Sequence, residues 1–389
     1  MNIKKSIQTR MNNHRGRING FYAAALFFSA ALMASDVAIA GADFPPEEKP
    51  PKNIILYIGD GMGIGQITAL LVARKNSNFN RFKIGGLLGS HPLDSFQPCT
   101  ESGTTALATG VVSNYNSISL STDDKPLKTV LEYARDNGKS TGIVVTSEAT
   151  DTTPACFAAH VKKRGLHQKI AEEMADSNIN VIFGGGLEYF TLNTTGKGPA
   201  SSKTPFAKLN SRYPVITTID EFRKLNSPDG AYALLALKSM PPASKRDLLL
   251  SEMATKAIDI LSKNENGFFL MVEGSQIDWA THHGDTGELI DEMEDFDGAI
   301  GVGLDFAEKN ADTLVIVASD HDTRGYCVID GSFKTGLVKM VAYLSDDHSA
   351  NLIPFFAYGP GSSVLGGIHT NEFVGETMIK YVKEKSPSR

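Results

Sequence analysis

Asn53-Ile54-Ile55-Leu56-Tyr57-Ile58-Gly59-Asp60-Gly61-Met62-Gly63 decides the reading of this chain. Five apolar residues run without a polar break and end at glycine and a carboxylate. Such a run, bounded by turn residues, is the pattern of a strand buried on both faces. The pattern recurs in Phe268-Phe-Leu-Met-Val-Glu273-Gly274 and in Thr313-Leu-Val-Ile-Val-Ala-Ser319-Asp320-His321. In an open α/β sheet the carboxyl ends of the strands face one crevice, so side chains placed there converge. Asp278 and His282 follow Glu273 by five and nine residues; four apart, they share one face of a helical turn. With His369 they make seven metal-type ligands: Asp60, Glu273, Asp278, His282, Asp320, His321 and His369. Carboxylate with imidazole suits zinc, and His283 next door reads as a supporting or surface residue. Gly61, Gly63 and Gly65 allow a tight turn behind Asp60 but lack the spacing of a dinucleotide-binding loop.

The rest of the chain alternates in the same way. Strands are expected over 52–59, 140–146, 180–183, 312–318 and 352–358, and helices over 63–75, 127–137, 166–177, 245–263, 287–308 and 371–385. A strand–helix region with a short strand is expected within 215–238. The expected fold is α/β: a three-layer sandwich with a central, mostly parallel sheet and helices on both faces. Residues 188–213 read as a polar surface insertion, and 330–350 as a small accessory region. No internal repeat is found.

Residues 1–40 read as a signal peptide. Lys4, Lys5, Arg10, Arg15 and Arg17 precede an apolar stretch over 21–34, and Ala38-Ile39-Ala40 offers a cleavage site. Residues 41–51 are an exposed leader, and 52–389 a single catalytic domain. The first 40 residues carry five basic groups and Asp36, so removing their +4 takes the chain from −6 to −10. An acidic exported protein, periplasmic or secreted, is a poor binder of nucleic acid. There is no second long apolar stretch, so no membrane anchoring is expected after cleavage. Three distant cysteines, Cys99, Cys156 and Cys327, do not form a disulfide framework.

Taken in order, several segments resemble the alkaline phosphatase family. These are Gly59-Asp60-Gly61-Met62-Gly63, Thr152-Thr153-Pro154-Ala155 with Ala159-His160-Val161, Val272-Glu273-Gly274 through Asp278 and His282, Ala318-Ser319-Asp320-His321, and Gly367-Ile368-His369-Thr370. The resemblance covers about 52–382. It implies a fold of that family, a homodimer, and two zinc ions with one magnesium ion. One zinc would take Asp278, His282 and His369. The second would take Asp60, Asp320, His321 and the nucleophile oxygen. Magnesium would take the other oxygen of Asp60 with Thr153 and Glu273. Asp151 matches a position that reaches the magnesium through water, and Trp279 fills a variable position nearby.

The nucleophile segment departs from the family pattern, Asp-Ser-Ala ahead of a Thr-Gly pair. Here it reads Pro98-Cys99-Thr100-Glu101-Ser102-Gly103, followed by Thr109-Gly110. A gapless match makes Thr100 the nucleophile, ten residues before Gly110, as in related phosphodiesterases. Matching Ser102 instead needs a two-residue deletion, which would rotate the following helix by about 200°. The gapless register is preferred, with Ser102 as a helix-start or supporting residue. It puts Cys99 where the family has an aspartate that steadies a phosphate-binding arginine. That arginine is expected to be Arg164, with Glu101 as a substitute partner.

The implied reaction is hydrolysis of small phosphate monoesters through a covalent phosphothreonine. Alternatives are a two-metal phosphodiesterase, which lacks the match to Thr153, Glu273 and Arg164, and a non-catalytic metal-binding protein. A sulfatase is excluded because Cys99-Thr-Glu-Ser-Gly103 lacks the Pro/Ala and Arg that formylglycine formation needs.

Overall fold

The structure, a computed structural model, describes residues 49–192 and 204–384. The expected signal peptide, most of the leader and residues 193–203 of the insertion lie outside the described residues. The strands are β1 (Asn53–Gly59), β2 (Ile84–Gly89), β3 (Ser140–Glu148), β4 (Val181–Gly185), β5 (Val215–Ile216), β6 (Ala231–Leu234), β7 (Phe268–Gly274), β8 (Thr313–Ala318), β9 (Asp322–Thr323), β10 (Cys327–Ser332), β11 (Leu337–Ala342), β12 (His348–Ser349), β13 (Ile353–Tyr358) and β14 (Gly367–Thr370). Ten of them form one sheet in the order β14-β2-β13-β8-β1-β7-β3-β4-β6-β5. Only β13 runs antiparallel to its neighbours β2 and β8.

Alternation along β1 builds two cores. Ile54, Leu56 and Ile58 pack with the helices Thr100–Thr109, Val130–Asp136, Thr152–Ala158, His167–Asp176 and Asn371–Lys383. Ile55 and Tyr57 pack on the other face with Ile64–Ala73, Leu250–Leu261 and Thr286–Lys309. Successive strand residues point to opposite faces, so a sheet covered on both sides needs an unbroken apolar run. All residues of β1, β7 and β8 are buried.

Register sets the site. Ile58 lies opposite both Glu273 and Ala318, and Glu273 lies opposite Val145 on its other side. Asp60, Glu273, Asp320 and Asp151 therefore emerge at the same end of four neighbouring strands, about 4.8 Å apart.

Several boundaries differ from the sequence expectation. The helix expected over 127–137 starts at Val130, where Thr129 and Glu132 form a reciprocal cap. The helix expected over 245–263 starts at Leu250, because Arg246 is buried against Glu292 and Asp295. Strand β2 was not expected: Ile84-Gly-Gly-Leu-Leu-Gly89 has three glycines, which are depleted in strands. A β-carbon at Gly86 would come within 2.0 Å of the Gly367 carbonyl oxygen, so the neighbouring strand requires glycine there. Within the expected accessory region β10 and β11 form a hairpin, and β12 pairs with β9 immediately after Asp320-His321. No described helix is long and apolar enough to cross a membrane. Cys99 and Cys156 are buried and Cys327 is exposed, all as free thiols.

Candidate active site

Three short segments bring the acidic and imidazole groups together. Asp60 leaves β1 at a turn in which Gly61 has φ +68°, and a β-carbon there would sit 2.3 Å from Thr323 Oγ1 and 2.7 Å from Asp278 Oδ1. Gly61 N–H donates to Asp320 Oδ1 at 3.1 Å, joining the ends of β1 and β8. Helix Gln276–His283 presents Asp278 and His282 on one face, with His282 Nε2 3.4 Å from Asp278 Oδ1.

His321 is the hub. Its Nε2 lies 3.4 Å from Asp60 Oδ1, 3.3 Å from Asp320 Oδ2 and 3.1 Å from Thr100 Oγ1. Thr323 Oγ1 donates to Asp278 Oδ1, which leaves its oxygen to accept from His321 Nδ1 at 3.3 Å. That fixes the tautomer with Nε2 as the free nitrogen.

The structure does not bring His369 to this group. It sits on the edge strand β14, three strands from β8 and thus roughly 14 Å to the side. Its ring stacks on Phe373 at 4.1 Å, and its Nε2 lies 3.0 Å from the Gly366 carbonyl oxygen. His348 stands at the cluster where His369 was expected. Its Nε2 is 4.0 Å from Asp278 Oδ1, and its ring stacks on His321 at 3.5 Å. The Pro98 carbonyl accepts from His348 Nδ1 at 3.1 Å, so here too Nε2 faces the cluster. His348 is held by its pairing with Thr323 in the β9–β12 ladder and by the Arg324 N–H bond to the Asp347 carbonyl at 3.0 Å. Two ligand groupings result: Asp278, His321 and His348, and Asp60, Asp320 and His321. His282 adjoins the first, its ring 5.4 Å from that of His348. His283 is exposed and Trp279 half-buried.

The electrostatics call for cations. Burial, then the charges of Asp320, Asp278 and Glu273, holds the Asp60 carboxyl well above its usual range. Burial chiefly, aided by the charge of Asp151, pushes Glu273 up to about 8. Burial and the neighbouring His348 push His321 well below the usual imidazole value, which leaves it neutral as a ligand must be. Asp60 Oδ1, Asp320 Oδ2, Glu273 Oε2 and Thr153 Oγ1 are buried without a hydrogen-bond partner. Orphaned oxygens in such number are costly unless something positive binds them, so the donor set fits metal ions.

Thr100 is the first residue of helix Thr100–Thr109, where the helix dipole and free N–H groups favour an anion. Gly103 faces the chain end of β8, and a β-carbon there would lie 2.2 Å from the Asp320 carbonyl oxygen. This close approach pins the helix so that Thr100 meets His321. Ser102 turns the other way: its hydroxyl donates to the Cys99 carbonyl at 3.2 Å and touches Cys99 Sγ at 3.3 Å. Cys99 is buried and its sulfur accepts from Asn116 N–H at 3.5 Å. Arg164 donates to Asp151 Oδ1 at 3.2 Å, and its other terminal nitrogen is 3.7 Å from the buried Glu101 carboxylate. Asp151 also caps helix Thr152–Ala158 through Thr152 N–H at 2.7 Å.

Known proteins of one family match this chain in sequence and in fold. A family model described as alkaline phosphatase matches residues 51–343, which include every candidate site residue named above except His348 and His369. Alkaline phosphatase 4 of Bacillus subtilis is 35% identical over 325 residues, covering 78% of this chain and 68% of that protein. The alkaline phosphatase of Escherichia coli is 29% identical over 395 residues, covering 82% of this chain and 84% of that protein. The solved alkaline phosphatase of the Antarctic bacterium TAB5 superposes with a TM-score of 0.80 at 36% identity, over 86% of this chain and 99% of that one. A mutant of that enzyme has Mg bound in its M3 site. The chain belongs to the alkaline phosphatase family, the metal-dependent hydrolases of phosphate monoesters.

Proposed function

We propose that this enzyme cleaves small phosphate monoesters through a covalent phosphothreonine on Thr100, with two zinc ions and one magnesium ion. The observation that carries this reading is the Thr100 hydroxyl 3.1 Å from His321 Nε2, beside two buried carboxylates. Asp278, His282 and His348 would hold one zinc, and Asp60, Asp320 and His321 the other. Asp60, Thr153 and Glu273 supply only oxygens, which suits magnesium. Bound there, the ions would supply Lewis-acid activation of the attacking hydroxyl and neutralise charge on the leaving oxygen.

The chain's own groups do the rest. The N–H groups opening helix Thr100–Thr109 cradle the phosphate oxygens. Arg164 grips two of them with its planar fork. Thr100 Oγ1 loses its proton to solvent and attacks phosphorus; the bond to the ester oxygen breaks, and the alcohol leaves with a proton from water. A second water then cleaves the phosphothreonine, releasing phosphate and restoring the hydroxyl. The resemblance also supports a homodimer, and the basic start, apolar stretch and Ala38-Ile39-Ala40 site of residues 1–40 support export with that segment removed.

His348→Ala tests the assignment of the cluster. The metal-loaded native protein should release phosphate from 4-nitrophenyl phosphate in preference to a bis-ester. His348→Ala should hold zinc at least about 10- to 100-fold more weakly and lose turnover in step, whereas His369→Ala should match the native protein in both. A preference for the diester, or a His369→Ala defect equal to that of His348→Ala, would reject the assignment.

Glu101 takes over the task that a carboxylate before the nucleophile would perform. Its charge lies within reach of Arg164 from a buried position, while Cys99 offers none. Glu101→Gln should weaken inhibition by inorganic phosphate by about three- to tenfold, the range for a charge contact on a half-exposed partner. Glu101→Asp should recover part of the loss.

A further inference from the structure

Arg324 joins two separate segments that carry His282 and His348. We propose that Arg324 is a positioning residue for the grouping of Asp278, His282 and His348, and that its guanidinium sets how tightly that grouping holds zinc. The inference rests on the zinc assignment proposed above.

The backbone is the first argument. Arg324 has φ +61°, a left-handed conformation that few residues with a β-carbon adopt, and Gly325 follows at +56°. Such conformations persist where the surroundings over-determine them, and they cluster at ligand clamps. Here the surroundings are the segment that leads into His348. Arg324 N–H donates to the Asp347 carbonyl at 3.0 Å, and the Arg324 carbonyl accepts from Leu344 N–H at 2.8 Å and Ser345 N–H at 3.3 Å.

The side chain is the second. Its Nε donates to the Ser345 carbonyl at 3.1 Å, three residues before His348. Its Nη1 donates to the His282 carbonyl at 3.2 Å, in the last turn of helix Gln276–His283, and lies 3.5 Å from the Thr281 carbonyl. Carbonyls in a last helical turn lack helical partners, and a cation there complements the helix dipole. One planar group thus spans the helix end that carries His282 and the segment that carries His348, whose rings are 5.4 Å apart. The Tyr343 ring, 4.2 Å from the guanidinium carbon, holds that plane. The ion pair of Nη2 with Asp346 at 3.0 Å adds little, because the Asp346 side chain is fully exposed. The carbonyl bonds carry the clamp, and they need the fork. A lysine would keep the charge at the helix end but could not bridge both segments in this way.

The test is a competitive titration of the metal-stripped enzyme with zinc, against a chromophoric chelator and at constant magnesium, beside the Tm of the same stripped proteins. The native enzyme should show two zinc steps. Arg324→Lys should weaken, by about tenfold, the step that His348→Ala weakens most, and should leave the other step unchanged. Its kcat should recover in excess zinc. In a His348→Ala background the same change should add little. Tyr343→Leu, which frees the guanidinium plane, should give a milder form of the same loss and serves if Arg324→Lys does not fold. Native zinc binding by Arg324→Lys, or equal weakening of both steps with a lowered Tm, overturns the positioning role while the zinc assignment stands. If His348→Ala itself binds zinc like the native protein, the assignment fails and the role of Arg324 falls with it.

Discussion

Thr100→Val is expected to lower kcat by about 10³-fold or more, the scale seen when a nucleophile is removed from an otherwise intact site. Valine keeps the shape and branching of threonine at the start of helix Thr100–Thr109, so the loss isolates the hydroxyl. Thr100→Ser keeps the oxygen and should stay within about tenfold of the native rate. Ser102→Ala should behave as native, because the Ser102 hydroxyl is spent on the Cys99 carbonyl. Mass mapping of enzyme quenched in acid with excess phosphate should find the phosphoryl group on Thr100. Phosphate on Ser102, or a dead Ser102→Ala with active Thr100→Val, would sink the assignment. Turnover with no phosphoenzyme would instead point to direct attack by water. The geometry favours the covalent route because Thr100 Oγ1 already stands 3.1 Å from His321 at a helix N-terminus.

The strands that carry Asp60, Glu273 and Asp320 were readable because each is buried on both faces, and only an unbroken apolar run satisfies that. Asp278 and His282 were readable because helical spacing is local. The gapless register proposed at Thr100 rests on the swing that a deletion would give the helix, and the close approach of Gly103 to Asp320 supports it. His348 was not readable. It lies in Asp346-Asp347-His348-Ser349, in a two-residue strand with no periodicity, and it reaches the site only through pairing with Thr323 and the Arg324 bond. His369 looked right because Gly367-Ile368-His369-Thr370 resembles the late His-Thr segment of the family, but a local pattern does not say where in the sheet its residues fall. Strand β2 was hidden for the reverse reason: its glycines serve a close neighbour, and propensity argues against them. The approach of Glu101 to Arg164 was open as an alternative, and it needed the side-chain direction that the helix start supplies.

Stripping the metals is expected to abolish turnover and also to make stability depend on pH with a definite sign. Glu273 is raised to about 8 in the fold, against about 4.3 for an unfolded glutamate, and Asp60 is raised with it. Between those values the folded chain holds protons that the unfolded chain has lost. Stability of the stripped protein must then fall as pH rises through that window. His321 works in the opposite sense, since its folded value is depressed, but only below an unfolded value of about 6.5. From about pH 6.5 to 8 His321 no longer opposes the carboxylates, and His160, raised in spite of its burial by its contact with Glu132, acts in their sense. Calorimetry should therefore show the Tm of the chelated protein dropping across that interval, while the metal-loaded protein, its carboxylates ionised and bound, falls much less. Glu273→Gln should flatten most of the slope in the chelated protein and also weaken magnesium retention in the loaded one. A Tm that is flat or rising over this interval after chelation would mean that the buried carboxylates do not carry the strain that the cations relieve.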